Sequence, residues 1–395
     1  VLVYSEEMLV KKDLVEKALC SIEGYHPRVV IEPIILKNDE VYLFDKMYEV
    51  MGQIIEKYSG TDHQLILNLS SGTPQIISAL FALNRINDYN TQAIQVATPN
   101  KSANRKYVPL SCEDEQKLFD ENKDNQKDYE NRTIKDEAEK FSHSLLKRHL
   151  RSLLASYDYQ AAEKIINQKQ YHALLPKKDL SRLRNLLNDF VKVFKNQGLL
   201  SEIQHYPLSD VEKKALNYFL MIEVLKERGQ VADVLIKSKS FVEFILEEKI
   251  KEEHPDLIKF EGSLPKLNEE YEDFENLLLY LDSEFKQMRD LKEVEEIIYP
   301  YQSTLNLLSY TNILSYYQAS PDLLKSLSVI TNLNGERNKV AHGLSEIDSR
   351  LISRKKMNEV IAALRNILQD SFAIDNRYFN YYQEKNEEML TLLRK

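Results

Sequence analysis

The sequence predicts an α/β domain with a mostly parallel sheet, followed by a helical middle domain and a second, all-helical domain. Three observations carry this. In the first hundred residues, short β-branched runs alternate with segments of helical apolar spacing. Residues 111–139 then shift to Asp, Glu, Lys and Asn, and beyond them the helical pattern runs almost unbroken to Lys395. At 395 residues the chain exceeds the size at which one core stops growing, so two or three domains are expected. With 43% apolar and 29% charged residues, 9 Gly and 11 Pro, it is globular and helix-leaning rather than disordered.

Taken in order, VLVY at the start, 29–36 (VVIEPIIL), 65–69 (LILNL) and 93–99 (AIQVATP) read as strands. Between them, 6–20, 43–58 and 74–86 carry apolar residues at helical spacing. Such alternation builds βαβ units on a parallel sheet, a Rossmann-like arrangement. The chain opens at Val1 inside an apolar stretch with no initiator Met, so a preceding segment is expected. Residues 111–139 read as a solvated linker or exposed helix. In 139–206 Leu146, Leu150, Leu153 and Leu154 share one helix face, and Lys147, Arg148 and Arg151 another. Pro207 and Ser209-Asp210 mark a break and a helix start, after which long helices and no strand are expected. The predicted domains are therefore 1–115, 116–208 and 209–395.

Composition narrows the function. Cys20 and Cys112 are too few and too far apart for a disulfide framework or a cysteine-rich zinc site, which fits a reducing cytoplasm. No apolar stretch is long enough to cross a bilayer, and no signal peptide is visible. The net charge of −9 argues against nonspecific coating of nucleic acid, but leaves room for a local positive groove.

The first motif is Asn68-Leu69-Ser70-Ser71-Gly72-Thr73-Pro74-Gln75, where an apolar strand gives way to an apolar-faced helix. Gly72 permits a tight turn, Thr73 can cap the helix, and Pro74 suits its first position. A well-capped helix would by itself explain these residues. The turn also lies at the C-terminal end of a parallel strand, where open α/β sheets bind ligands, and its N–H groups and hydroxyls suit phosphate. A nucleotide site is the functional reading. No Walker lysine and no GxGxxG accompany it, so ATP hydrolysis and dinucleotide binding lack support.

The second motif is Gly335-Glu336-Arg337-Asn338-Lys339-Val340-Ala341-His342-Gly343. Asn338 and His342, four apart, share a helix face, and Arg337 must reach with its long side chain. This group suits RNA cleavage, in which a 2′-hydroxyl attacks its own phosphate while one group moves protons and a cation stabilises the charge on phosphorus. His342 is the proton-transfer candidate, Arg337 the phosphate clamp and Asn338 a positioner of His342 or substrate, with no metal required. The ordinary alternative is a helix end carrying an Arg and a His. Lys339, Arg350 and Arg354 are candidate RNA contacts, although a basic cluster is often only a solvated face. The remaining histidines suggest no metal site.

Together these residues resemble the CARF–HEPN ribonucleases that accompany type III CRISPR systems. LNLSSGTPQ resembles the CARF ligand turn, ERNKVAH the HEPN R-x4-6-H motif, and 156–162 (SYDYQAA) the six-helix middle domain of type III-A members. The resemblance implies a homodimer whose CARF domains share one cyclic oligoadenylate and whose HEPN domains pair two motifs into one site. It further implies metal-independent cutting of single-stranded RNA to 2′,3′-cyclic phosphate and 5′-hydroxyl ends. A six-membered ring is favoured over four as activator, with slow self-limiting ring cleavage near Thr73 or Asn68. The family's CARF domain normally begins with a strand and loop that contribute to the ligand site, so the residues of that site are incomplete here.

Two other readings stay open on the residues alone. One is a nucleotide-sensing regulator or scaffold without catalysis, against which stand the acidic charge and the lack of a helix-turn-helix signature. The other is a HEPN toxin held by an antitoxin, which would leave the α/β half without a purpose.

Overall fold

The computed structural model describes residues 1–22, 24–60, 64–87, 89–97, 111–121, 127–168, 172–290, 296–335, 337–338 and 353–394. They form two compact units, Val1–Ser142 and His143–Lys395.

The first unit runs from a 3-10 turn (Glu6–Lys11) through α1 (Lys12–Cys20), α2 (Phe44–Tyr58), β1 (Leu65–Asn68), α3 (Pro74–Ile86), β2 (Thr91–Val96) and α4 (Cys112–Asp120) to β3 (Thr133–Asp136). β1 and β2 are parallel, Leu65 opposite Thr91 and Asn68 opposite Ile94. The core sits between α2 and α3, where Met47, Met51, Ile54, Ile55, Ala79 and Leu83 are buried together with Leu36.

Three expectations change here. VLVY and 29–36 touch through two isolated parallel bridges, Leu2 to Ile31 and Ser5 to Leu36, instead of extended strands. The bonds donated by 29–36 to the first segment run from Glu32 N to the Leu2 carbonyl and from Leu36 N to the Tyr4 carbonyl, and the three residues between these donors break the regular ladder. The charged stretch 111–139 contains β3, antiparallel to β2 with Ile94 opposite Lys135. Four residues, mostly exposed, give too little alternation to betray a strand. The sheet thus has a parallel pair and an antiparallel edge.

The second unit contains α5 (Glu139–Ala155, which crosses the boundary), α6 (Tyr159–Ile166), α7 (Lys177–Asn196), α8 (Asp210–Glu227), α9 (Val231–Glu253), β4 (Ile258–Glu261), β5 (Leu264–Leu267), α10 (Phe274–Met288), α11 (Leu307–Tyr316), α12 (Pro321–Thr331), α13 (Arg354–Phe372) and α14 (Tyr381–Leu392). One hydrophobic cluster extends through it from Leu146 to Leu393. The start at Ser209 is a full capping box: Ser209 Oγ accepts from Glu212 N at 3.2 Å, and Glu212 Oε2 accepts from Ser209 N at 2.6 Å.

The expectation of no strand in this region is corrected by the antiparallel hairpin of β4 and β5. Gly262, at φ +65°, opens its two-residue turn with Ser263, the Gly-Ser pattern of a tight hairpin. The strands are only four residues long and carry Lys259, Glu261, Pro265 and Lys266, which hides them in the sequence.

Glu223 of α8 is a partly buried carboxylate against this core. Burial pushes its carboxyl up to about 7, against the pull of Arg365 and Lys226. A raised folded-state value means that the folded protein binds the extra proton, so stability falls as pH rises from about 4.5 to about 7. Glu223→Gln is therefore expected to stabilise the chain by up to about 3 kcal/mol above pH ~7, and to change little below pH ~4.5, in urea titrations across that window.

Candidate functional site

The turn after β1 is built by its own side chains. Asn68 Oδ1 accepts from Ser70 N at 2.9 Å, and Ser70 Oγ accepts from Val96 N at 2.5 Å, tying the turn to the end of β2. Thr73 is the N-cap of α3: its Oγ1 accepts from Ile76 N at 3.4 Å and donates to the Val41 carbonyl at 3.0 Å. Pro74 occupies the first helical position. Gly72 sits at φ +117°, where a Cβ would lie 3.2 Å from Ile76 Cγ2, so both the conformation and the space demand glycine.

These bonds divide the seven predicted residues. Asn68, Ser70 and Thr73 hold the turn, Pro74 starts the helix, and exposed Ser71 and Gly72 form its tip. Gln75 is half-buried in the first turn of α3. The arrangement presents backbone and hydroxyl groups at a helix N-terminus on the C-terminal side of a parallel strand, the setting that suits a phosphate. Sequence reasoning missed the loop before α2. The Val41 carbonyl fixes Thr73, and the next residue, Tyr42, is exposed.

In the second unit α12 leads into the other motif. Ser320 caps α12 through its Oγ, which accepts from Leu323 N at 3.1 Å, and Pro321 takes the first position. Leu323, Leu327 and Ile330 anchor the helix in the core. Arg337 and Asn338 are helical, and Arg337 N donates to the Leu333 carbonyl at 2.9 Å. Arg337 Nη1 donates to Asn338 Oδ1 at 2.9 Å, so the two adjacent residues act as a pair and Asn338 orients the guanidinium. Arg337 Nε is buried with no hydrogen-bond partner among the described residues. His342, Lys339 and Arg350 lie outside the described residues.

Arg354 is exposed at the first position of α13, with Lys355 and Lys356 behind it. Ser353 Oγ caps the helix by accepting from Lys356 N at 3.3 Å. The macrodipole disfavours cations at a helix N-terminus, so three consecutive basic residues there work against local stability and favour an anion. Among the described residues no group of three His, Cys, Asp or Glu could hold a metal ion, and no helix is long and apolar enough to cross a membrane.

A small α/β domain with a phosphate-suited turn, joined to a helical domain bearing an Arg-Asn pair, defines the CARF–HEPN class of CRISPR ribonucleases. Residues 30–133 match the Cas_Csm6 CARF domain and residues 193–390 the Cas_Csm6 HEPN domain. The CRISPR system endoribonuclease Csm6 of Streptococcus thermophilus is 59% identical over 393 residues, covering 100% of this chain and 92% of the relative. The Csm6′ endoribonuclease of the same organism is 32% identical over 394 residues, covering 100% and 91%. The chain belongs to the Csm6 family of CRISPR endoribonucleases. A solved structure of Enterococcus italicus Csm6 bound to cyclic hexa-2′-fluoro-hexa-dAMP shares the fold, with a TM-score of 0.67 and 24% identity over 96% of this chain and 86% of that one.

The strain at the turn is directly testable. Gly72→Ala is expected to lower stability by about 1–3 kcal/mol, because a side chain is forced into positive φ against Ile76. Thermal unfolding measures the loss, and faster amide exchange at residues 70–76 would place it in the turn.

Proposed function

We propose that this chain is a cyclic-oligoadenylate-activated endoribonuclease of CRISPR antiviral defence, with the sensor in the first unit (1–142) and a helical connector and the nuclease in the second. The observation that carries the reading is the Arg337–Asn338 pair, held side by side on a helix within a family of endoribonucleases. The Csm6 of similar fold bound to a cyclic hexa-adenylate analogue supports a ring as the activator and six adenylates over four.

The ring's phosphates sit on Ser71, Gly72 and Gln75, with Asn68, Ser70 and Thr73 fixing the turn and Pro74 its helix. Tyr42 stacks on an adenine, since an exposed aromatic next to a phosphate-binding turn supplies the apolar half of nucleotide recognition. Two chains pair so that two copies of a sparse motif make one cutting site.

In that site the 2′-oxygen attacks the adjacent phosphorus, and the bond from phosphorus to the 5′-oxygen breaks. His342 moves protons between the attacking hydroxyl and the leaving oxygen, and Arg337 stabilises the charge on the phosphoryl oxygens. The products are a 2′,3′-cyclic phosphate and a 5′-hydroxyl, and the chemistry calls for no metal. Lys339, Arg350 and Arg354 contact the single-stranded substrate. The sensor slowly cleaves its own ring, with Asn68 or Thr73 nearest the bond.

Arg337→Ala and His342→Ala are expected to lower cleavage of a quenched single-stranded RNA by about 10²-fold or more in EDTA, and to leave ring affinity unchanged. Cleavage by His342→Ala at the wild-type rate, or wild-type activity that vanishes in EDTA, would sink this mechanism. Cyclic hexa-adenylate is expected to activate and cyclic tetra-adenylate to fail, and the reverse result would reassign the ring.

A further inference from the structure

An open cleft of about 790 Å³ runs along α7 and the turn that follows it. Its floor is rigid, because Leu183, Leu187, Phe190 and Val193 on the inner face of α7 are fully buried. Arg182, Asn185, Asn188, Lys192 and Lys195 line the cleft along the outer stripe of the same helix, and His205 lines it from the facing turn.

Of the acids at the cleft, Glu202 and Glu388 are held in ion pairs, while Asp189 and Glu163 keep their charge but turn their oxygens onto neutral donors. Glu388 accepts from Arg182 Nε at 2.6 Å, and Glu202 pairs with Lys385 at 2.7 Å. Asp189 accepts from Ser201 N at 2.9 Å and Ser201 Oγ at 2.7 Å, and Glu163 accepts from Asn167 Nδ2 at 3.0 Å. Lys192 and Lys195 are exposed and have no ion-pair partner among the described residues. His205 Nδ1 lies 2.8 Å from the Ser201 carbonyl, which assigns the proton to Nδ1 and leaves Nε2 as an acceptor in the neutral ring.

This lining is wrong for a compact organic ligand, which takes an enclosed and mostly apolar pocket. It matches a single RNA strand: lysines for phosphates, amides for base edges, and an imidazole acceptor for a ribose 2′-hydroxyl. An acidic protein would satisfy the lysines but leave carboxylates facing the acceptors. The rise of α7 separates Asn185 from Lys195 by about 15 Å, so the contacts extend over more than one nucleotide.

We propose that the α7 cleft binds a flanking stretch of single-stranded RNA, away from the scissile bond and separate from the Arg337 motif. This rests on the ribonuclease reading above. The test compares the full chain with its Lys192→Gln/Lys195→Gln variant, ring-activated, on a long single-stranded RNA and on a hexanucleotide. For the long RNA, KM should rise about threefold to tenfold, and the slope of log kcat/KM against log salt should become shallower by roughly 1 to 1.5. The kcat on both substrates and kcat/KM on the hexanucleotide should stay at wild-type values, and a Lys→Arg pair should restore the long-RNA KM.

Unchanged KM and salt slope on the long RNA overturn the proposal while leaving the nuclease reading intact. If the wild-type chain cuts neither RNA, it is the nuclease reading that fails. Fluorescence anisotropy with the same labelled RNA then decides the cleft, equal affinity of wild type and variant overturning it.

Discussion

Helix α8 is the constraint around which the second unit is arranged. From Ala215 to Leu225 it is buried around its circumference, with Leu216, Phe219, Leu220 and Ile222 wholly inaccessible. A helix apolar on every side must be enclosed by others, and α9, α13 and α14 pack against it. Its one polar residue in that stretch apart from Glu223 is Asn217, whose Oδ1 accepts from Leu200 N and whose Nδ2 donates to the Gly198 carbonyl, both at 3.1 Å. Those bonds fix the chain where it leaves α7. One buried amide thus secures the turn that closes the α7 cleft, while the apolar surface of α8 seats α13, which begins at basic residues.

The same economy of roles appears in the sensor turn. Asn68, Ser70 and Thr73 are polar residues at a candidate ligand site, yet their side chains are already bonded to the turn, to β2 and to the loop before α2. Residues that are free to meet a ligand, Ser71 and Gly72, contribute little of their own chemistry beyond backbone groups and one hydroxyl. Affinity in such a site comes from the held shape of the backbone, so loss of a positioning residue and loss of a contact residue should be hard to tell apart by binding alone.

What was legible in the sequence follows from how local the determinants are. The Gly72-Thr73-Pro74 start, the Ser209 to Glu212 box and the LILN strand are specified by neighbours within four residues, and each forms in the expected place. The β4 and β5 hairpin and β3 were hidden because four-residue strands carry almost no periodicity, and their pairing partner decides them. The Arg337–Asn338 bond was half legible: adjacency suggested a unit, and the Asn338 Oδ1 accepts a hydrogen bond from Arg337 Nη1, while the spacing of Asn338 to His342 falls on residues outside those described. The α7 cleft was not legible, since its lining joins α7 to His205 across a turn whose geometry depends on Asn217.

Two departures from local stability mark the nuclease unit, and they have a common electrostatic sense. Arg354, Lys355 and Lys356 place positive charge at the N-terminus of α13, where the dipole is already positive. Arg337 keeps a buried Nε without a hydrogen-bond partner among the described residues, a cost of about 1–3 kcal/mol for a polar group withdrawn from water. A folded protein retains such costs where something outside the chain offsets them. A phosphate would do so at both places, by supplying an acceptor to the guanidinium and a counter-charge to the helix terminus. Binding of an anion would lower both penalties. A site built this way would favour a bound anion the more strongly the more charge that anion carries.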